Sequence, residues 1–281
     1  MRPIVLTVAG EEFRADLNRA HDISIALDFD GLQPNYFGLP PATSEPVRVD
    51  GFIGDTREHG SCNVEEYRFI AHSNGTHTEC VGHVTDDRVN VRDALRPGLA
   101  IALLMSIKAS GANDSGESTS PAPKPNDLLI TAKALEAALA EWPQHAAEAW
   151  IIRTVPNRID KPQRRYRMDN PPAYFTQAAV ELAVARGVQH LVLDLPSLDR
   201  SHDEGRLTGH RVFWGLPAGS REAKLAQRPH ATVTELVFIP TAVRDGWYLL
   251  DLQIAPFASD AAPSRPILYP LLAATPGAKV P

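Results

Sequence analysis

The run Leu99 to Ile107 is apolar almost without interruption and has the length of one strand. A strand of that kind is buried on both faces, so the sheet that holds it must be covered on both sides. Trp150 to Leu195 then repeats a strand, helix, strand order. Ala149–Thr154 is extended, a helix is expected over about Pro172–Arg186 with Gly187 as its left-handed cap, and Val188–Leu195 is extended again up to Pro196. Such an order requires an α/β arrangement. A further helix is expected over Ala132–Trp142, opened by Thr131 and stopped by Pro143. Thr232–Ile239 and Trp247–Ala255 read as strands joined at Asp245-Gly246. The Ser-, Pro- and Gly-rich stretch at about 110–127 reads as a flexible surface insertion within one domain spanning 1–281.

Chemistry concentrates in one place. His72-Ser73-Asn74-Gly75-Thr76-His77-Thr78-Glu79-Cys80-Val81-Gly82-His83 holds three histidines and a carboxylate. Asn74-Gly75 favours a tight turn. If the chain is extended beyond it, His77, Glu79 and His83 share a face. Imidazole nitrogen and carboxylate oxygen are the donors that zinc, manganese and iron accept. Before the turn, the alternation of Val64 to Ser73 puts Ser73 in phase with Tyr67 and Phe69, and His72 on the other face unless the strand bulges.

Composition excludes several other classes. A formal charge of −6 argues against nucleic acid as the main partner, and the local group Arg164, Arg165 and Arg167 reads as a solvated basic loop. The two cysteines, Cys62 and Cys80, make no disulfide framework and no CxxC metal clip. The apolar stretch at the N-terminus is too short for a signal peptide, and no run approaches the roughly 20 apolar residues of a membrane span. The expected location is cytoplasmic, with no membrane partner.

Gly75-Thr76-His77-Thr78-Glu79 followed by His83 resembles the His-x-Gly-Thr-His-x-Asp-x-Pro-x-His signature of the metal-dependent cyclase family, which includes bacterial kynurenine formamidases and isatin hydrolases. Asp22-Ile23-Ser24, Ile152-Arg153-Thr154, Asp194-Leu195-Pro196-Ser197-Leu198-Asp199, His210-Arg211 and Glu235-Leu236 resemble further landmarks of that family, in order, between Asp22 and Leu271. Three positions depart from the signature. Ser73 stands where the first histidine falls, Glu79 replaces aspartate and Val81 replaces proline. The spacing from His210 to Glu235 is wide, consistent with an insertion between Leu216 and Pro229, and makes His230 a rival to His210.

The resemblance implies a single α/β domain with a mixed, barrel-like central sheet flanked by helices, assembled as a homodimer or homotetramer. It implies a divalent ion, zinc or manganese, with His77, Glu79, His210 and Glu235 as ligands and Ser73 a doubtful one. It also implies an enzyme that hydrolyses a small amide, formamide, lactam or lactone, as an arylformamidase does. Hydroxide on the metal would attack the carbonyl, and His83 would shuttle the proton. Tyr36, Phe37 and Trp214 are the expected substrate contacts. Two alternatives stay open: a non-catalytic relative with a degenerate metal site, and a metal-dependent cyclase or dehydratase. Asp194 and Asp199 are expected to cap a strand end and its turn. His21, His59, His145, His190 and His202 are expected to be ordinary surface or core histidines.

Overall fold

Leu99–Lys108 and Ala149–Val155 lie side by side and parallel, with Ile152 opposite Met105. They form the middle of a sheet that closes on itself. The computed structural model describes residues 4–8, 11–96, 98–142, 147–167 and 169–273. The expected helix stop at Pro143 and the position of His145 lie outside the described residues, as does part of the N-terminal stretch.

The closed sheet is built from β1 (His77–Glu79), β2 (Leu99–Lys108), β3 (Ala149–Val155), β4 (His190–Leu193), β5 (Thr232–Glu235), β6 (Gly246–Ile254) and β7 (Ala261–Ala273). Around the ring the order is β1-β7-β6-β2-β3-β4-β5 and back to β1. Strands β2 to β5 run parallel, and the remaining pairings are antiparallel. This is the mixed, barrel-like sheet that the sequence led us to expect. Closure removes the exposed edges an open sheet would carry.

Strand alternation divides the apolar side chains into two sets. Ala100, Ala102 and Leu104 of β2, Ile151 of β3, Val192 of β4 and Leu250 of β6 belong to the set inside the barrel. Small residues at 100 and 102 suit that narrow space. The intervening Leu103, Met105, Trp150, Ile152, Leu193 and Val233 face outward against the helices. Three helices cover this outer face: α1 (Ala132–Leu139), α2 (Gln177–Ala185) and α3 (Thr208–Trp214), which contribute Leu135, Val180 and Phe213 among others. Each fully buried large apolar side chain there adds roughly 1.5–3 kcal/mol.

Helix starts follow their caps. Thr131 Oγ1 accepts from Ala134 N at 3.1 Å, and Thr176 Oγ1 accepts from Ala179 N at 3.1 Å. Helix α2 therefore begins at Gln177 instead of Pro172, because Tyr174–Phe175 are extended and pair in parallel with Leu128–Ile130. Gly187, at φ 78°, takes the left-handed conformation expected after the helix. Within 110–127, Glu117 accepts from Ala132 N at 2.9 Å and from Thr176 Oγ1 at 2.6 Å, joining the starts of α1 and α2.

Two features depart from the sequence reading. Strands β5 and β6 are not neighbours, so Asp245-Gly246 makes no hairpin between them. Asp245 instead accepts from Ser106 Oγ at 2.8 Å and Arg153 at 2.6 Å, which satisfies the one polar side chain inside the apolar run of β2. Ile4–Val8 and Glu11–Ala15 form an unforeseen hairpin that extends β7, with Ala15 opposite Leu271. No helix of the described residues is long and apolar enough to cross a membrane.

Candidate metal centre

The strand expected over Val64 to Ser73 stops at Arg68, and Ala71–Asn74 makes a single helical turn. Asn74 Oδ1 accepts from Ile70 N at 2.7 Å, while the Ser73 and Asn74 amides both return to Ile70 O. This turn reverses the expected roles of two neighbours. Ser73 is buried, accepts from Tyr36 N at 3.2 Å and donates to Tyr36 O at 3.1 Å, so it is tied to backbone and is not a ligand. His72 swings toward the cluster, its Nδ1 2.9 Å from Glu79 Oε2. The reading required a strand bulge for that; a helical turn does it instead.

Strand β1 then places two of the candidate ligands at once. His77 lies opposite Glu235 and Glu79 opposite Val233, and directly opposed antiparallel residues share a face. Because Val233 faces the helices, His77, Glu79 and Glu235 do too. Thr78 points the other way and bonds Thr234 across the strands at 2.8 Å. His83 does not continue the strand as expected. Val81–Val84 forms a 3-10 turn, with His83 N donating to Cys80 O at 2.9 Å, and this folds the ring back to 3.7 Å from Glu79.

His210 reaches the same place from α3. Asp199 Oδ2 accepts from His210 Nδ1 at 2.7 Å, and its Oδ1 accepts from Gly209 N at 2.7 Å. A side chain at position 209 would stand 3.0 Å from that oxygen, which accounts for the glycine. Asp199 thus does more than cap a turn: it fixes the ring so that Nε2 faces Glu79 Oε1 at 2.7 Å and Glu235 Oε1 at 3.4 Å. His77 is oriented in the same manner. Its Nδ1 meets Gly75 O at 3.1 Å, and its Nε2 lies 3.5 Å from Glu235 Oε2. Glu235 Oε1 also accepts from Leu198 N at 2.7 Å.

Three overlapping donor groups result: His72 with His77 and Glu79, Glu79 with His210 and Glu235, and His72 with His83 and Asp260. Asp260 carried no sequence signal. It precedes β7, and its Oδ2 lies 3.0 Å from His72 Nε2 and 3.5 Å from His83 Nδ1. The four residues named from the signature are almost wholly buried, whereas the His72, His83 and Asp260 side chains are 31%, 27% and 33% exposed and form the open side.

The inner donors fit a cation. His77 Nε2, both oxygens of Glu79 and His210 Nε2 are buried in the two donor groups that share Glu79, yet none has a hydrogen-bond partner of acceptable geometry. Buried polar atoms are ordinarily paired. Buried donors gathered around one carboxylate, without hydrogen bonds among themselves, are arranged as ligands are. Two adjacent buried carboxylates also call for compensating positive charge. Burial alone would raise the Glu79 pKa, but His83 and His210 beside it hold the carboxyl well below its usual range. Burial would likewise favour neutral His210, yet Glu79, Asp199 and Glu235 push its pKa well above the ordinary imidazole value. Against the cost of burial, Asp260 and Glu79 raise His72 to about 10.

The aromatic residues named as substrate contacts fall differently. Trp214 is fully buried, donates its indole N–H to Ala231 O at 2.9 Å and packs 5.3 Å from the His210 ring, so it supports that candidate ligand. Tyr36 is buried with its hydroxyl on Ser201 Oγ at 2.9 Å, and Phe37, its ring tilted 44° against it with centroids 3.9 Å apart, is exposed. His230 is exposed and is no rival to His210. His59 and His202 are exposed, and His190 is buried against Thr232. Asp194 closes a strand end, accepting from Thr154 N at 2.8 Å and pairing with Lys161.

The family model described as "Putative cyclase" matches residues 21–200. No curated protein matches the chain. Among solved structures, isatin hydrolase A from Labrenzia aggregata, bound to benzyl benzoate, is similar at 13% identity and a TM-score of 0.59, over 91% of this chain and 94% of that one. Isatin hydrolase A from Ralstonia solanacearum is similar at 16% identity and a TM-score of 0.56, over 89% and 91%. A predicted metal-dependent hydrolase from Bacillus stearothermophilus is similar at 12% identity and a TM-score of 0.57, over 89% and 98%.

Proposed function

This chain belongs to the cyclase family, and from that premise we propose that it is a metal-dependent hydrolase of a small amide, formamide, lactam or lactone. The observation that carries the proposal is that two donor groups share the Glu79 carboxylate, His72 with His77 and His210 with Glu235, and that His77 Nε2, both Glu79 oxygens and His210 Nε2 are buried without a hydrogen-bond partner. His77, Glu79, His210 and Glu235 would hold a divalent ion, zinc or manganese, with His72 on the Glu79 side. Such an ion supplies Lewis-acid polarisation of a carbonyl and lowers the pKa of water.

The remaining roles belong to the chain itself. Asp199 and the Gly75 carbonyl fix the rings of His210 and His77, so their free nitrogens need no reorganisation. His83, at the open side and 3.5 Å from Asp260, takes a proton from the attacking water and delivers it to the departing nitrogen or oxygen. Hydrolysis then breaks one C–N or C–O bond and leaves a carboxylate. The alternative of a degenerate centre drew its support from Ser73, and the approach of His72 to Glu79 weakens it.

Metal analysis of the purified protein, combined with turnover of an aryl formamide, isatin and a simple lactone, tests this reading. About one or more ions per chain and metal-dependent hydrolysis of one of these substrates are expected. A metal-free protein that stays metal-free in excess zinc and manganese would refute it.

A further inference from the structure

The basic sequence Arg164-Arg165-Tyr166 has no part in the metal centre, and the fold gives it a distinct place. It borders a cavity of about 270 Å³ at the carboxyl ends of three parallel strands, with Ala109 just beyond β2, Val155 closing β3 and Leu195 beyond β4. Ligands of α/β sheets bind in that position, outside the carboxyl ends of parallel strands. The metal donors face outward from the barrel, whereas Asp194, on the cavity floor, continues the inward-facing register of His190 and Val192. None of the metal donors lines this cavity, so the two sites are distinct.

The lining defines what fits. The floor is a neutralised pair: Lys161 Nζ is spent on Thr154 O, Thr154 Oγ1 and Asp194 Oδ2. The other Asp194 oxygen, Oδ1, is sealed beneath the floor without a hydrogen-bond partner. Above the floor, Arg158 and Arg164 share one carboxylate, Asp160, at 3.0 and 3.7 Å, and Arg165 has no ion-pair partner among the described residues. The rim is left with net positive charge. Arg164 is steadied 5.7 Å over the Tyr166 ring. Pro156, Pro172, Val155 and Leu195 make the walls apolar.

We propose that this cavity is a second ligand site, separate from the metal centre, that binds a small organic acid. Its carboxylate lies against Arg164 and Arg165, and its apolar body lies between the prolines. Calorimetric titration of the full chain with 4-aminobenzoate tests this, with 4-aminobenzamide and inorganic phosphate in parallel. Saturable binding of the acid is expected, weakened about tenfold or more in Arg164→Gln/Arg165→Gln, as loss of a charge-assisted hydrogen bond implies. The exposed single variant Arg165→Gln should weaken it in the same direction. No saturable binding, or an affinity unchanged in these variants, as for an acid held at the metal centre, would overturn the proposal. So would equal binding of the uncharged amide or of inorganic phosphate.

Discussion

His72 Nε2 stands 3.0 Å from Asp260 Oδ2, although 188 residues separate them in the chain. The other nitrogen of the same ring faces Glu79, so the contact fixes the orientation of the His72 ring. Asp260→Asn should loosen this ring and His83 together. Metal affinity measured by chelator competition should fall about 10–100-fold, the effect expected for losing a carboxylate behind a ligating histidine. An unchanged affinity would make Asp260 a bystander.

His83 lies at the open side and is not needed to hold the inner donors together. His83→Ala should keep its metal, by elemental analysis, and lose roughly 10²–10⁴-fold in kcat. A variant with full turnover would remove the assigned role.

How much of this was legible in the sequence depended on what each residue needs. His77 and Glu79 share a face because they lie two apart on a strand, and period two is visible in one dimension. His210 and Glu235 were found through resemblance, since nothing local marks them. His72 was hidden because Val64 to Ser73 alternates like a strand, yet the Asn74 side chain captures the Ile70 amide and makes a helical turn. Asp260 had no local signal at all: it meets the centre only because β7 closes the barrel beside β1, with Ala261 opposite Glu79. The fold class was readable from two buried strands and their intervening helix. The ring closure came only through the family resemblance, because it depends on pairings distant in sequence.

His190 supplies a test of folding that is independent of catalysis. Burial, and then the Arg228 guanidinium, lower its pKa from 6.5 to about 4. The unfolded chain takes up a proton near pH 6.5 and the folded chain only near 4. Stability that is full above pH 6.5 is therefore lost as the pH falls from 6.5 toward 4, by on the order of 3 kcal/mol. Denaturant melts of wild type and His190→Gln across that window should differ in slope, and identical slopes would contradict the assignment.

Metal uptake should release protons. His72 and His210 are held protonated by the carboxylates around them, and a ligating imidazole must be neutral. Titration of metal-stripped protein should give a heat that varies with the ionisation enthalpy of the buffer, and an affinity that rises with pH between 6 and 8, to order of magnitude. A buffer-independent heat would mean that these rings do not bind the ion.

The most direct test is an anomalous-scattering map from crystals grown with manganese or zinc. The ion should appear between His77 Nε2, the Glu79 carboxylate and His210 Nε2, with Glu235 beside it. A crystal of active protein with no anomalous peak among those four side chains would contradict the account.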